Sequence, residues 1–394
     1  MTAAVETLDS PKTAMWNNPR VRSVVVQVAL LVTVAALIVI LAHNTYVNLK
    51  SRNIASGFDF LNKTAGFDII QSPISYSSSS SYGRAIMVGF LNTLLISVLG
   101  IAAATLIGFF MGVMRLSKNW LVSRLAACYI EFFRNVPLLL QIIFFYQVVL
   151  SPLPGPKQAI SVLDSFFLSN RGLIMPKPLW GDGTWLFLAS CAAAVIGVWL
   201  VARWARARQL ATGQTFPVLW VSLAILAGVP LVGYVIAGFP VTFEYPALKG
   251  FNFEGGVHVL PELIALFLAL AVYTGTDIAE SVRAGIQAVS HGQTEAASAL
   301  GLRGGTTLRL VVIPQAMRVI IPPLASTYLS LTKNSSLAIA IGYPDIVATG
   351  GTVLNQTGQA IEIVGIWMVV YLSLSLFTSL FMNWFNDRMK LVER

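Results

Sequence analysis

The chain has 394 residues, of which 56% are hydrophobic and only 11% carry a charged side chain. Soluble domains have about 25% charged residues, so the composition excludes an ordinary soluble protein and indicates an integral membrane protein. The net charge of +9 does not indicate nucleic-acid binding, because the basic residues are scattered among the ends of apolar segments. Cys128 and Cys191 lie inside apolar segments without CxxC spacing, so the sequence predicts neither a disulfide framework nor a metal site.

Eight apolar stretches are long enough to be considered as membrane spans. The first, Val24 to Ala42, would form a helix of about 28 Å, enough to cross a bilayer core, and we interpret it as an uncleaved anchor. The predicted fold class is an all-α polytopic membrane protein with about eight transmembrane helices. The stretches are 24–42, 86–114, 125–150, 185–202, 216–239, 259–282, 318–342 and 361–386.

The polar parts of the chain divide it into three regions. Residues 1–85 would comprise a cytoplasmic tail, the first span and a polar periplasmic segment. That segment ends in the serine run 77–81, and we expect it to be a flexible connection. Residues 86–386 form the main membrane domain, and residues 387–394 a short cytoplasmic tail.

The distribution of Lys and Arg predicts the orientation. With the N-terminus inside, the cytoplasmic loops and terminal tails together hold sixteen of these residues and the outer segments hold eight. Because basic residues are enriched in cytoplasmic loops, we expect both termini and the loop after the sixth span to be cytoplasmic.

The loop at about 290–323 carries its own helix signals. Ser290 and Gln293 fit a capping box, which predicts a short helix over residues 291–300. Gly301 can supply the left-handed residue that ends it. We therefore expect a helix-turn-helix on the membrane surface.

The same loop contains a spaced set of residues. It resembles the E-A-A, Gly, I-x-L-P motif of type-1 permease subunits of bacterial ABC importers, with Val311 and Ile313 replacing the Ile and Leu. The resemblance implies that the loop docks into a cleft of a separate ATPase. An amphipathic helix lying on lipid would explain the apolar residues but not the whole set. The matching residues are Glu295, Ala296, Ala297, Gly301 and Pro314.

A second motif, YIEFFRNVPLLLQ, begins at Tyr129. It resembles the segment that marks permeases of the polar amino-acid uptake group. An arginine at the depth of Arg134 costs a few kcal/mol unless it is paired or faces water. Arg134 therefore faces a pathway and attracts a substrate carboxylate, or it pairs with Glu131, and the sequence leaves both open. Pro137 removes one helical hydrogen bond beyond it.

Three charged residues share one face of the sixth span. We expect Glu280 and Arg283 to form a structural pair, whereas the deeper Asp277 would meet water or a cation. The seventh span contains four consecutive polar residues, which should face protein or a water-filled cavity. There the resemblance implies a translocation path, in which Lys333 neutralises Asp277 or contacts a substrate carboxylate. The four residues are Lys333, Asn334, Ser335 and Ser336.

Two further patterns bear on helix packing and on energy supply. Gly108 and Gly112 have the GxxxG spacing that permits close helix approach, although this pattern is common in membrane helices. The sequence has no GxxxxGK[ST] loop, so we expect this chain to bind no cofactor and a partner ATPase to hold ATP and Mg.

These observations predict a permease subunit of an ATP-driven L-amino-acid importer in the bacterial inner membrane. Residues 48–69 and the extra hairpin at about 185–239 resemble the Q-type permeases of general L-amino-acid transporters. That resemblance implies three partners: a second, different permease, an ATPase pair and a periplasmic binding protein. The alternatives are an ion- or proton-coupled secondary transporter and a structural assembly protein without a transport path.

Overall fold

The computed structural model describes residues 19–51 and 56–389. Within them, seven helices are long and apolar enough to cross a membrane, or eight if one bent helix pair counts as a span. The predicted helical polytopic fold is confirmed. The predicted terminal tails fall mostly on residues 1–18 and 390–394, which lie outside the described residues.

Twelve α-helices are found in the described ranges. In chain order they are α1 (Pro19–Ser51), α2 (Tyr82–Arg115), α3 (Trp120–Asn135), α4 (Leu138–Ile143), α5 (Thr184–Thr212), α6 (Val218–Ile236), α7 (Pro261–Gln287), α8 (His291–Ala299), α9 (Gly304–Thr307), α10 (Ile313–Asn334), α11 (Ile346–Thr357) and α12 (Ala360–Met389).

The stretch predicted as one span at 125–150 is broken in the structure. Helices α3 and α4, the latter continued by a π-helical turn to Leu150, meet at an angle of 103°. Pro137 stands at the break, because its ring cannot continue the hydrogen-bond ladder of α3. The buried Gln141 side chain donates to the carbonyls of Phe133 and Val136 at 2.7 and 2.8 Å and satisfies groups freed by the bend.

Helices α2 and α7 form the central pair of the bundle, and glycine permits their close approach. A Cβ added to Gly108 would lie 2.8 Å from the carbonyl oxygen of Gly275, and one on Gly112 would lie 2.7 Å from that of Ala279. Ile278 and Val282 of α7 fill the remaining space and are fully buried. The small-residue spacing in α2 therefore marks a real helix contact.

The predicted flexible connection, residues 43–85, is partly helical, since α1 extends to Ser51 and α2 begins at Tyr82, and residues 56–81 between them make defined contacts, so that prediction is wrong. Phe60 is buried in a cluster with Ile86, Ile346, Val353 and Ile363. Arg84 donates from Nε to the Ser75 carbonyl at 2.6 Å, and Gly57 donates its N–H to Glu362 at 2.7 Å. Apolar anchors interspersed with the polar residues hold this segment against α2, α11 and α12.

Eight short strands occur beside the helices, so the all-α expectation was incomplete. They form one four-stranded antiparallel sheet, in the order β1-β2-β3-β8, and two hairpin-like pairs, β4-β5 and β6-β7. Short apolar runs separated by Asn, Gly and Pro are the sequence signal for such strands. The strands are β1 (Ile160–Val162), β2 (Phe166–Ser169), β3 (Gly172–Met175), β4 (Lys177–Trp180), β5 (Val241–Glu244), β6 (Ala247–Lys249), β7 (Asn252–Glu254) and β8 (Val257–Val259).

The extra hairpin predicted at 185–239 is present as α5 and α6. These helices pack mainly on each other, with Gly233 against Ser190 and no room for a Cβ between them. Their outer faces remain exposed. Strands β4 and β5 pair at the ends of the two helices and close the hairpin.

Replacing Gly108 with alanine should destabilise the bundle by about 1–3 kcal/mol, because the new methyl group overlaps α7. Gly365→Ala in α12 is the matched control, since its Cβ meets open space and alanine favours helix. Unfolding of the purified variants in detergent measures both. Equal stability of the two variants would contradict the tight α2–α7 contact.

Candidate functional site

A polar cavity of about 410 Å³ lies between α7 and α10. Asp277 and Asn334, which the sequence singled out, both line it. Ser326, Thr327 and Ser330 were missed, although hydroxyl residues at helical spacing within an apolar segment are a detectable signal. The complete lining is Tyr273, Thr274, Asp277, Ser326, Thr327, Ser330, Leu331 and Asn334.

Arg134 and Asp277 form an ion pair beside this cavity. Their side chains lie 3.8 Å apart, Nε to Oδ1, and are 55% and 42% exposed. Glu131, the alternative partner that the sequence offered for Arg134, is paired with Arg115 at 4.0 Å instead. Since both groups of the pair are half exposed, a polar solute can reach them.

Lys333 does not take the position that the sequence suggested beside Asp277. Its side chain is exposed and lies outside the cavity lining, while Asp277 pairs with Arg134. Successive helical residues point about 100° apart, so Asn334 can face the cavity while Lys333 does not.

The two serines after Asn334 bond to their own backbone. Ser335 is buried and donates to the Thr332 carbonyl at 2.7 Å, and Ser336 donates to that of Lys333 at 2.8 Å. They begin a 3₁₀-helical segment, Ser335–Ile341, that continues from α10. Their hydroxyls thus satisfy the tightened backbone, and only Asn334 of this polar turn lines the cavity.

A second group of charges lies along the same faces of α3 and α7. Arg283 Nε donates to Glu280 at 2.7 Å, as the spacing predicts, and Arg115 binds the other oxygen of Glu280. Arg115 was missed, and its position at the end of the neighbouring span was the available signal. We call these residues, with the Arg134–Asp277 pair, the ion-pair ladder: Arg115, Glu131, Arg134, Asp277, Glu280 and Arg283.

Helix α8 follows α7 after three residues and matches the predicted short helix except at its last residue. The predicted capping box is wrong: the Ser290 side chain makes no capping bond, and Gln293 instead accepts a hydrogen bond from Gln315 of α10 at 3.1 Å. Gly301 has φ +73°, and its N–H bonds Ser298 while that of Leu302 bonds Ala297. This left-handed C-terminal motif ends the helix as predicted.

The loop predicted at about 290–323 is shorter in the structure. A continuous helical run extends from Gly304 to Ile341, so the segment with Pro314, expected in a loop ending near residue 323, belongs to this run. Pro314 has no N–H to donate within this run, and the turn just before it, Leu308–Val312, is π-helical.

The surface of α8 combines a charge with exposed apolar side chains. Glu295 is 73% exposed and contacts His291 at 3.3 Å, while Ala297 is buried beneath the helix. Leu300 and Leu310 are 81% and 63% exposed. Leu310 lies in the turn before α10, and exposed apolar groups in a segment that also carries a charge are typical of a protein contact surface. We call Glu295, Ala296, Leu300 and Leu310 the α8 surface.

Among the described residues, no group of three or more His, Cys, Asp or Glu side chains could hold a metal ion.

Comparison with known proteins gives consistent matches. Residues 208–391 match the family model of the binding-protein-dependent transport system inner membrane component. The general L-amino acid transport system permease protein AapQ of Rhizobium johnstonii is 54% identical over 97% of this chain and 96% of its own. The putative amino-acid ABC transporter permease protein YhdX of Escherichia coli is 51% identical over 96% of each chain.

A third relative has a narrower name. The glutamate/glutamine/aspartate/asparagine transport system permease protein BztB of Rhodobacter capsulatus is 42% identical over 96% of each chain. The similarity to all three relatives spans the ladder, the cavity and α8.

Glu280→Gln should lower the free energy of unfolding by about 1–3 kcal/mol, because it removes the only carboxylate among the described residues that pairs with the partly buried Arg283 and leaves Arg115 with the 4.0 Å contact to Glu131 alone. Glu131→Gln makes the same chemical change at a side chain that is 69% exposed, and we expect a change within about 0.5 kcal/mol. Unfolding in detergent measures both. A Glu131 effect as large as that of Glu280 would contradict this assignment.

Proposed function

The chain belongs to the family of permease subunits of amino-acid ABC transporters, and on that premise we propose that it moves L-amino acids from the periplasm to the cytoplasm through the cavity at Asp277. It is a multi-pass inner membrane protein and a transport component rather than an enzyme. The relatives do not support the alternative of an ion-coupled secondary transporter.

The observation that carries the substrate assignment is the Arg134–Asp277 pair at the polar cavity. A free amino acid carries a carboxylate, which is complementary in charge to Arg134, and an ammonium group, which is complementary to Asp277. The cost of separating this pair is small, because both side chains are partly solvated and lie 3.8 Å apart. Hydroxyls of Ser326, Thr327 and Ser330 and the amide of Asn334 can replace part of the solute's hydration shell.

The energy for transport would come from a separate ATPase that binds the α8 surface and also binds ATP and Mg. This chain has no GxxxxGK[ST] loop, and its exposed Glu295 and neighbouring leucines present a surface suited to a partner. Because α8 is joined to α7 by three residues, a push on α8 moves α7 and the cavity wall that carries Asp277. Movement of this kind alternates access to the cavity.

The proposed assembly contains a second permease subunit, an ATPase dimer and a periplasmic amino-acid-binding protein. Family membership supports the ATPase and the binding protein. The excess of Lys and Arg on one side supports cytoplasmic termini and a cytoplasmic α8. A different second permease follows from the resemblance to Q-type permeases, and co-purification from cells tests it.

Glu295→Arg should detach or uncouple the ATPase, because it reverses the charge of an exposed side chain of the α8 surface. We expect at least a tenfold loss of amino-acid-stimulated ATP hydrolysis in the reconstituted transporter. Glu244→Arg, the same reversal on exposed strand β5, is the control and should retain coupling. Full coupling in the Glu295 variant would count against α8 as the ATPase contact.

Asp277→Asn should raise the KM for amino-acid uptake about tenfold or more, because a charge-assisted contact with the substrate ammonium is lost. Asp164→Asn, in the loop between β1 and β2, makes the same change away from the cavity and should leave uptake unchanged. Uptake into vesicles is the measurement. An unaltered KM in the Asp277 variant would show that the cavity does not contact the substrate.

A further inference from the structure

A second polar cavity, of about 510 Å³, lies where α2 ends, α3 begins and α7 ends. Arg283 and Gln287 of α7 line it, so it lies at the same end of the bundle as α8. It is separate from the cavity at Asp277, with which it shares no lining residue. We call it the Arg115 cleft. Its lining is Arg115, Leu116, Ser117, Lys118, Trp120, Ser123, Arg124, Ala127, Glu131, Arg283 and Gln287.

The Arg115 cleft has a surplus of positive charge. Arg115 and Arg283 share Glu280, and Glu131 lies 4.0 Å from Arg115. In the part of the chain that the structure describes, no carboxylate lies within ion-pairing distance of the other two cations, Lys118 and Arg124. Four cations thus face two carboxylates, which leaves room for an anion of one or two charges.

An exposed apolar stripe runs along α3 directly beside the cleft. The cleft-lining residues Trp120, Arg124, Ala127 and Glu131 recur at three- and four-residue steps and share one face of the helix. The apolar stripe lies one residue further round the helix. Its members are Leu121, Leu125 and Phe132, exposed by 57%, 57% and 60%.

We propose that the Arg115 cleft binds the phosphate headgroup of an anionic phospholipid, whose acyl chain lies along the apolar stripe of α3. The cations supply the charge complementarity and the stripe supplies a surface for hydrocarbon. Trp120 is 71% exposed at the junction of the two, where an amphipathic ring suits the membrane–water interface. A water-soluble phosphate would match the cations equally well but would leave the stripe uncovered.

The two cations without carboxylate partners provide the test. The full-length chain is purified in detergent, and its affinity for phosphatidylglycerol and phosphatidylethanolamine is measured by native mass spectrometry during lipid titration. The combined Lys118→Gln and Arg124→Gln variant removes two cations that attract the anionic headgroup. It should therefore bind phosphatidylglycerol about tenfold more weakly. Phosphatidylethanolamine, which carries no net charge, should bind weakly to both proteins.

A matched control removes two arginines elsewhere. Arg206 and Arg208 lie in α5, where Arg208 stacks on Trp204 and bonds Gln214. The combined Arg206→Gln and Arg208→Gln variant has the same net charge as the cleft variant and should keep the wild-type affinity. The combined Leu121→Ala and Leu125→Ala variant should weaken lipid binding while all cations remain.

Several results would overturn the proposal. Equal affinity of the cleft variant and wild type would exclude the cleft as the site, and an equal loss in the α5 variant would indicate general charge attraction. Displacement of the lipid by millimolar inorganic phosphate or glycerol 1-phosphate would identify a free anion as the ligand. Loss of the lipid when the ATPase subunit is added would assign the cleft to a protein partner. Retention of the lipid under both additions supports the proposal.

Discussion

Glu280 joins the two central helices of the membrane bundle, because its carboxylate binds one arginine from α2 and one from α7. Arg115 links the end of α2 to Glu280 of α7. Arg283, one turn further along α7, binds the other oxygen of the same carboxylate. All three side chains are partly buried, so leaving one of them without a partner would be costly. The pairing therefore fixes α2 and α7 at the end that leads into α8, while the contacts of Gly108 and Gly112 fix the same helices further along.

This rigidity connects the two parts of the proposed function. Asp277 stands ten residues before the end of α7, which corresponds to about 15 Å of continuous helix. Helix α8 is in turn bonded to α10 through Gln293 and Gln315, and α10 supplies the opposite wall of the cavity. A force applied at α8 thus reaches both walls. The Arg115 cleft lies beside the same joint, so a bound lipid headgroup would adjoin the helices that transmit the force.

Much of this arrangement could be predicted from the sequence, because it is carried by local patterns. Hydropathy located the spans, and Gly301 located the end of α8, although the capping bond expected at Ser290 is absent. The remaining features depend on which segments meet in space. Nothing in the order of residues indicates that Arg134 faces Asp277 rather than Glu131, that Arg115 reaches Glu280, or that Phe60 anchors a segment rich in serine. Pro137 signalled a lost helical hydrogen bond, but the sequence does not give the 103° angle between α3 and α4.

The most direct measurement of the central claim is chemical cross-linking from α8. A variant lacking Cys128 and Cys191 and carrying Ser298→Cys, an exposed position on α8, is assembled with its ATPase and treated with a short cleavable cross-linker. The account predicts a permease–ATPase product, loss of ATP-driven amino-acid uptake on cross-linking and recovery on cleavage. Uptake that continues at the full rate, with no product from Ser298→Cys, would contradict it.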